Sequence, residues 1–235
     1  MCKFEIGFRF AHVNIRSLTP KSLEVYDIIT NENLDFMCLT ETWQRSMTDD
    51  CLYDASPAGY SFISQTRSRR RGGGVAIIYR SHIRVQKLFI QRTPQLEIVS
   101  MKIKYLRRRF ILMCVYKSPR YNDIRSVKKI GSMLKGVRSL DLPVIITGDL
   151  NIHLDDLSES QTAWFNYYVT LKGMMQNVSC PTHVAGHCLD VVITASRNVE
   201  INDVCVEPPM YSDHSLIIWN CKVKQIQRQV CRMLR

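Results

Sequence analysis

Apolar and polar positions alternate at the start of the chain and fuse into unbroken apolar runs further on, and the two patterns predict two kinds of strand. Phe4, Ile6, Phe8 and Phe10 alternate with Glu5, Gly7 and Arg9, the two-residue period of a half-buried strand running towards His12-Val13-Asn14-Ile15-Arg16. Phe36 to Thr40 and Val144 to Ile146 are continuous apolar runs, as in strands buried on both faces, and the first ends directly on Glu41. The second is entered through Pro143 and closed by a tight turn at Gly148, delivering Asp149 and Asn151. If the extended geometry persists, these two side chains leave on the same face. Further strands are expected at Val75 to Tyr79, Ile83 to Ile90, Leu96 to Ile103, Phe110 to Tyr116, Leu189 to Thr194, Val199 to Val206 and Leu216 to Cys221.

Helical spacing appears in three places. Thr19-Pro20 is a helix start, with Leu23, Tyr26 and Ile29 as its stripe through about Asn33. Ile124, Val127, Ile130, Leu134 and Val137 form a second stripe, and Trp164, Tyr168 and Leu171 a third. The segment through Pro57 and Gly59 reads as a loop, and Trp164, Trp219 and the pair Met174-Met175 as core. Several strands follow one another without room for crossover helices, so the class is α/β with a mixed sheet or two packed sheets. The expected division is one domain over 1–222 and a basic tail over 223–235, where Val223, Ile226, Val230 and Leu234 have amphipathic helical spacing.

Composition changes this picture in one respect. Lys and Arg outnumber Asp and Glu by 32 to 21, and the excess is clustered at Arg67 to Arg71, at Arg107 to Arg109 and along the last dozen residues. A net charge of +11 favours a polyanionic partner, nucleic acid ahead of a membrane surface. Nine cysteines without a Cys-x-x-Cys pair point to reduced thiols in an intracellular compartment. No apolar run approaches bilayer length, so a soluble protein with no membrane partner is expected.

The candidate chemistry lies at strand ends: Asn14, Glu41, Tyr116, Asp149 with Asn151, Asp190, and Ser212-Asp213-His214. Together they supply a carboxylate for a hard cation, a carboxylate that orients water, hydrogen-bond donors for a phosphate, and a histidine with an acidic partner. Cys180, His183, His187 and Cys188 offer four zinc-type ligands, but their spacing fits no common zinc motif and adjacent His187 and Cys188 diverge. His12, His82 and His153 have no partner that singles them out.

Seven segments, in order, resemble the endonuclease/exonuclease/phosphatase superfamily, and within it the apurinic-like endonuclease domains of non-LTR retrotransposons. They are His12 to Leu18, Leu39 to Trp43, Arg71 to Ala76, Val115 to Pro119, Thr147 to Asn151, Leu189-Asp190 and Ser212 to Ser215. The resemblance implies a four-layer α/β sandwich, two packed mixed sheets flanked by helices. It implies Glu41 as principal metal ligand with Asn14 nearby and Asp213 metal-adjacent, for Mg2+ or alternatively Mn2+. Asp149 would activate water, Asn151 and Tyr116 would hold the phosphate, and His214, oriented by Asp190, would stabilise the pentacovalent phosphate or move a proton. Arg16, Arg69, Arg70, Arg71, Thr182 and His183 would contact nucleic acid.

Arg16 stands where apurinic-site repair enzymes carry an acid, which agrees with the retrotransposon branch. The implied activity is nicking of one strand of double-stranded DNA to leave a 3′ hydroxyl, in a monomeric domain of nuclear location. In longer relatives such a domain is joined to a reverse transcriptase. The alternatives are an inactive retroelement-derived nucleic-acid binder, or a phosphatase of the same superfamily.

Overall fold

The structure is a computed structural model describing residues 7–44, 46, 50–66, 72–138, 140, 142–195 and 199–224. Its strands are β1 (Gly7–Asn14), β2 (Phe36–Thr40), β3 (Tyr60–Gln65), β4 (Val75–Arg80), β5 (Arg84–Arg92), β6 (Leu96–Tyr105), β7 (Arg108–Lys117), β8 (Val144–Asp149), β9 (Met175–Gln176), β10 (Asp190–Ala195), β11 (Val199–Val206) and β12 (Ile217–Val223). Its helices are α1 (Ser22–Asn31), α2 (Cys51–Asp54), α3 (Ile124–Arg138) and α4 (Ser160–Leu171). The strands form two six-stranded sheets, ordered β11-β12-β1-β2-β4-β3 and β5-β6-β7-β8-β10-β9. Each contains one parallel pair, β1 with β2 and β7 with β8, among antiparallel ones.

Strand alternation explains the layers. Phe8 and Phe10 of β1, Phe36 of β2, Leu112 of β7, Ile145 of β8 and Trp219 of β12 meet between the sheets, with Phe10 stacked on Trp219 at 5.4 Å. Their neighbours point outward. Ala11, Val13, Met37 and Leu39 pack under α1, whereas Met113, Ile146 and Val191 pack under α3 and α4. The four-layer α/β sandwich expected from the sequence is therefore the fold, and central strands read as unbroken apolar runs because both of their faces are covered.

Several local expectations are corrected. The buried face of α1 is Ser22, Val25, Ile28 and Ile29, while Leu23 is 68% exposed and Tyr26 lies outside. A strict three-residue series turns about 60° per step and drifts off any one helix face. On α4 the buried arc is Gln161, Thr162, Phe165 and Val169, and Trp164, Leu171 and also Met175 are exposed. The short elements α2, β3 and β9 were not expected, and β3 occupies part of the segment read as loop. Phe4, Ile6, the basic run Arg67 to Arg71 and the tail from 225 onward lie outside the described residues; Val223 is the last residue of β12.

Gly148 does not end its strand. It pairs within the sheet opposite Val115 and Val191. With φ +144°, it approaches β7 so closely that an added Cβ would stand 1.8 Å from the Val115 carbonyl oxygen. The residue is glycine because a neighbouring backbone fills the side-chain position, and this approach carries Asp149 into the inter-sheet space.

Candidate active site

The inter-sheet core turns polar at one end. On β1, His12 and Asn14 continue the face of Phe8 and Phe10; on β8 Asp149 continues that of Ile145; Tyr116 follows Cys114 on β7; Asp190 shares a face with Val192 on β10. Glu41 comes directly after β2 and His214 shortly before β12. Backbone bonds from Ile15, Ser17 and Leu18 to the carbonyls of Thr40, Glu41 and Thr42 stitch the first two strand ends together. Arg16, Ser17, Glu41, Trp43 and Asn151 all have positive φ, a concentration of sparsely populated conformations such as functional loops hold when their surroundings fix them.

Asp149 is fully buried. It accepts hydrogen bonds from Asn14 Nδ2 at 2.8 Å, from the Asn151 N–H at 2.8 Å and from Asn151 Nδ2 at 2.9 Å. Burial, helped by the charge of Asp190, pushes its carboxyl up to about 7 against these bonds and against His214. A carboxylate of that basicity is matched to taking a proton from water near neutral pH.

Asn151 corrects a role. The chain does not stay extended at this position (φ +46°), and both amide hydrogens are spent, on Asp149 and on the Lys117 carbonyl at 2.8 Å. Asn151 thus holds Asp149 here instead of presenting donors to a phosphate.

Asp190, also buried, lies against two imidazoles: His214 Nδ1 at 2.8 Å from one oxygen and His12 Nε2 at 3.0 Å from the other. Burial raises the Asp190 carboxyl, but the two histidine hydrogen bonds outweigh it and hold it well below the usual carboxylate range. Burial lowers His214, yet the hydrogen bond and charge of Asp190, with Asp149 and Asp213 beyond, lift it to about 9. A cationic His214 donates Nδ1–H to Asp190. Its Nε2–H is turned towards the Asn14 amide nitrogen, 3.4 Å away, which cannot accept it, so this donor is left for a ligand oxygen.

His12 is the residue sequence reasoning missed. The signal was the two-residue period, which puts His12 on the face of Phe8, Phe10 and Asn14.

Glu41 accepts from Tyr116 Oη at 2.9 Å, Trp43 Nε1 at 3.0 Å and, more distantly, Asn14 Nδ2 at 3.3 Å. These donors are neutral, so the carboxylate receives hydrogen bonds without a counter-charge from them. Asp213 bonds Arg16 and His183 (3.1 Å) through Oδ2 only, while its Oδ1 is buried without a partner. A carboxylate with neutral donors and an orphaned carboxylate oxygen fit a hard divalent cation, with Asn14 alongside. In each of two compact groups of ligand atoms, Asp149-Asp190-His214 and His183-Asp213-His214, one pair is already joined by a hydrogen bond. Glu41 is therefore the better metal candidate. Tyr116 donates its hydroxyl hydrogen to this carboxylate and so orients it.

Of the expected nucleic-acid contacts, Arg69, Arg70 and Arg71 lie outside the described residues. Arg16 is half exposed at the mouth of the site. Thr182 is not a contact: it is fully buried, and its hydroxyl accepts the N–H groups of Leu189 and Asp190 at 3.0 and 3.1 Å. His183 is half buried, with Nε2 on Asp213 and Nδ1 accepting the Ala185 N–H. The four zinc-type ligands do not converge: Cys188 is buried, Cys180 is exposed, and His187 bonds Asp155 while stacking on His153 at 3.9 Å. The seven described cysteines are all free thiols.

Lys117, adjacent to Tyr116, is a further feature with no sequence signal. Its side chain is fully buried and donates Nζ–H to the Asn151 carbonyl at 3.1 Å, clamping the loop from the opposite side. Burial drives its pKa down to about 8 against the pull of Asp149. Because the folded value lies below the unfolded one, stability rises with pH between about 8 and 10.5. Lys117→Met is expected to raise the melting temperature at pH 7 by relieving at most about 3 kcal/mol, and to lower turnover on the order of tenfold by loosening Asn151. Melting curves at pH 7 and pH 10.5 alongside rates check this; a stability gain that persists undiminished at pH 10.5 contradicts it.

A buried carboxylate of raised pKa, a cationic imidazole fixed by an aspartate, and a carboxylate fit for a hard cation are the equipment for adding water to a phosphorus centre. The chain matches the Endonuclease/Exonuclease/phosphatase family over residues 11–214, and it belongs to that family. Members typically hydrolyse phosphodiester bonds and are generally dependent on a divalent metal. No curated protein sequence matches the chain.

Solved structures share the fold at low identity. The endonuclease domain of TRAS1, a telomere-specific non-LTR retrotransposon, superposes with TM-score 0.71 at 14% identity, covering 94% of this chain and 100% of that one. The AP endonuclease LMAP from Leishmania major gives 0.72 at 16%, covering 92% and 88%. The human Nocturnin catalytic domain gives 0.68 at 15%, covering 93% and 94%. Among the described residues no helix is long and apolar enough to cross a membrane.

Proposed function

We propose that the chain is a magnesium-dependent DNA endonuclease, with Mn2+ able to substitute, that nicks one strand of a duplex and leaves a 3′ hydroxyl. The observation carrying this reading is the Asp149-Asn14-Glu41 line, closed on its other side by Asp190 and His214, at one end of the inter-sheet core. Asp149 orients a water and takes its proton as oxygen bonds to phosphorus. The bond from phosphorus to the 3′ oxygen breaks, the leaving 3′ alkoxide takes a proton from solvent water to become the hydroxyl, and a 5′ phosphate is left on the other fragment. His214, through Nε2–H, donates to a non-bridging oxygen where negative charge accumulates. Magnesium, when bound, supplies Lewis-acid stabilisation of that charge, with Glu41, Asn14 and Asp213 as the residues that would hold it.

The charge of +11 supports DNA as substrate over a small phosphate ester. Arg16, ion-paired with Asp213 and half exposed, supports the retrotransposon-type reading, since a guanidinium replaces an acid beside the metal and remains available to a DNA phosphate. In a nuclear setting the product's 3′ hydroxyl would prime reverse transcription by a linked domain.

The test is incubation of supercoiled plasmid with purified protein, in magnesium or in chelator. Magnesium-dependent conversion to open circles is expected, and intact plasmid under both conditions would leave an inactive binder instead. Glu41→Gln keeps shape but removes the charge that holds a hard cation. The magnesium concentration for half-maximal nicking is therefore expected to rise steeply, and an unchanged titration would place the ion elsewhere.

A further inference from the structure

We propose that His12 is a positioning residue of the reaction, donating Nε2–H to the second oxygen of Asp190 so that the first stays on His214 Nδ1. This deepens the proposed hydrolysis and rests on it for its kinetic readout. His12 lies on β1, on the strand face that begins with Phe8 and Phe10, and it is wholly buried. Its Nε2 is 3.0 Å from Asp190 Oδ1, and its Nδ1 is buried with no hydrogen-bond partner.

That asymmetry assigns the proton. A cationic ring would bury an Nδ1–H with nothing to accept it, whereas the Nε2–H tautomer leaves only a lone pair unsatisfied. His12 thus acts as a neutral donor, and the charge of Asp190 is left for His214 to balance. One carboxylate carries two imidazoles, a donor on each oxygen, in a space too dry for water to serve instead.

The bland alternative is a core histidine that happens to be satisfied. It leaves unexplained why a face that carries Phe8 and Phe10 and ends on Asn14 holds a ring with a buried polar atom lacking a partner, where an apolar residue would leave none unsatisfied. Loss of the His12 donor would leave Asp190 Oδ1 unpaired in the core. The carboxylate would then rotate or take up a proton, and in either case its hold on His214 would weaken.

The experiment compares wild type, His12→Leu and His12→Gln on a short duplex carrying one cleavage site. The glutamine amide nitrogen reaches the place of imidazole Nε2, so it keeps the donor while discarding the ring. His12→Leu is expected to lower kcat by 10- to 100-fold with KM unchanged, and His12→Gln to stay within a few-fold of wild type. The downfield proton resonance of His214 Nδ1–H, a readout independent of cleavage, is expected to shift in the leucine variant and be retained in the glutamine one.

Wild-type kcat in folded His12→Leu, or equal impairment of both variants with an unmoved His214 resonance, overturns the proposal. If His12→Leu does not fold, the glutamine variant decides: rates within a few-fold of wild type and a retained resonance support the donor role, and their loss overturns it. Were the wild type itself unable to cleave DNA, the proposed activity would fail, while the resonance would still test the link from His12 through Asp190 to His214.

Discussion

Replacement of Asp149 by Asn is expected to abolish nicking and, at pH 8, to make the protein more stable. The carboxyl is fully buried and pushed up to about 7, so the folded state pays to hold it ionised. Its folded value lies above the unfolded one, so the stability tied to its protonated form is present below about pH 4 and is lost as pH rises through about 7. An asparagine amide carries no such penalty. The gain in the variant should be absent near pH 4 and complete above pH 7, with a ceiling of about 4 kcal/mol.

Removal of a group that orients and deprotonates water should cost on the order of 10² to 10⁴ in rate. DNA affinity should survive, because removing one carboxylate leaves the net positive charge of the chain in place. Denaturant midpoints across this pH range, together with plasmid nicking, test both halves. Wild-type rates in the variant would remove Asp149 from the chemistry, and equal stabilities at pH 8 would mean that its charge is better solvated than its burial implies.

His214 and Asp190 are expected to behave as one unit. Replacing either by Ala or Asn should impair nicking on the order of 10² or more, and the double replacement should be little worse than the more damaged single one. Fully multiplicative rate losses would dissolve the pair. The same substitutions carry a stability signature, because breaking a buried ion pair leaves an uncompensated charge and costs roughly 3–5 kcal/mol.

The signs differ for the two partners. Asp190, lowered, contributes above about pH 4 and loses its contribution as pH falls; His214, raised to about 9, contributes fully below about pH 6.5 and loses it as pH rises through 9. Wild type should exceed the double variant in stability most clearly between these limits, which thermal melts at pH 3, 6 and 10 would reveal.

Much of this protein follows from local pattern alone. Unbroken apolar runs at Phe36 to Thr40 and Val144 to Ile146 require strands covered on both faces, and strands in rapid succession leave no room for a purely parallel sheet. Gly148, Asp149 and Asn151 were visible as a cluster because they directly follow an unbroken apolar run, although the turn expected at Gly148 is instead a close approach within the strand. What alternation could not supply was which strands become neighbours.

His12 and Asp190 are 178 positions apart and Asn14 and Asp149 are 135 apart, so their contacts exist only once β1 faces β10 and β8 across the core. The same holds for Asn151, one of whose amide hydrogens is taken by the carbonyl of Lys117 on the adjacent strand, and for Thr182, whose hydroxyl turns inward to the Asp190 backbone. The sequence by itself determined which residues lie at or beside strand ends. Only the packing of the two sheets decided which carboxylate is raised, which is lowered and which is left fit for a cation, because those states depend on burial and on partners distant along the chain.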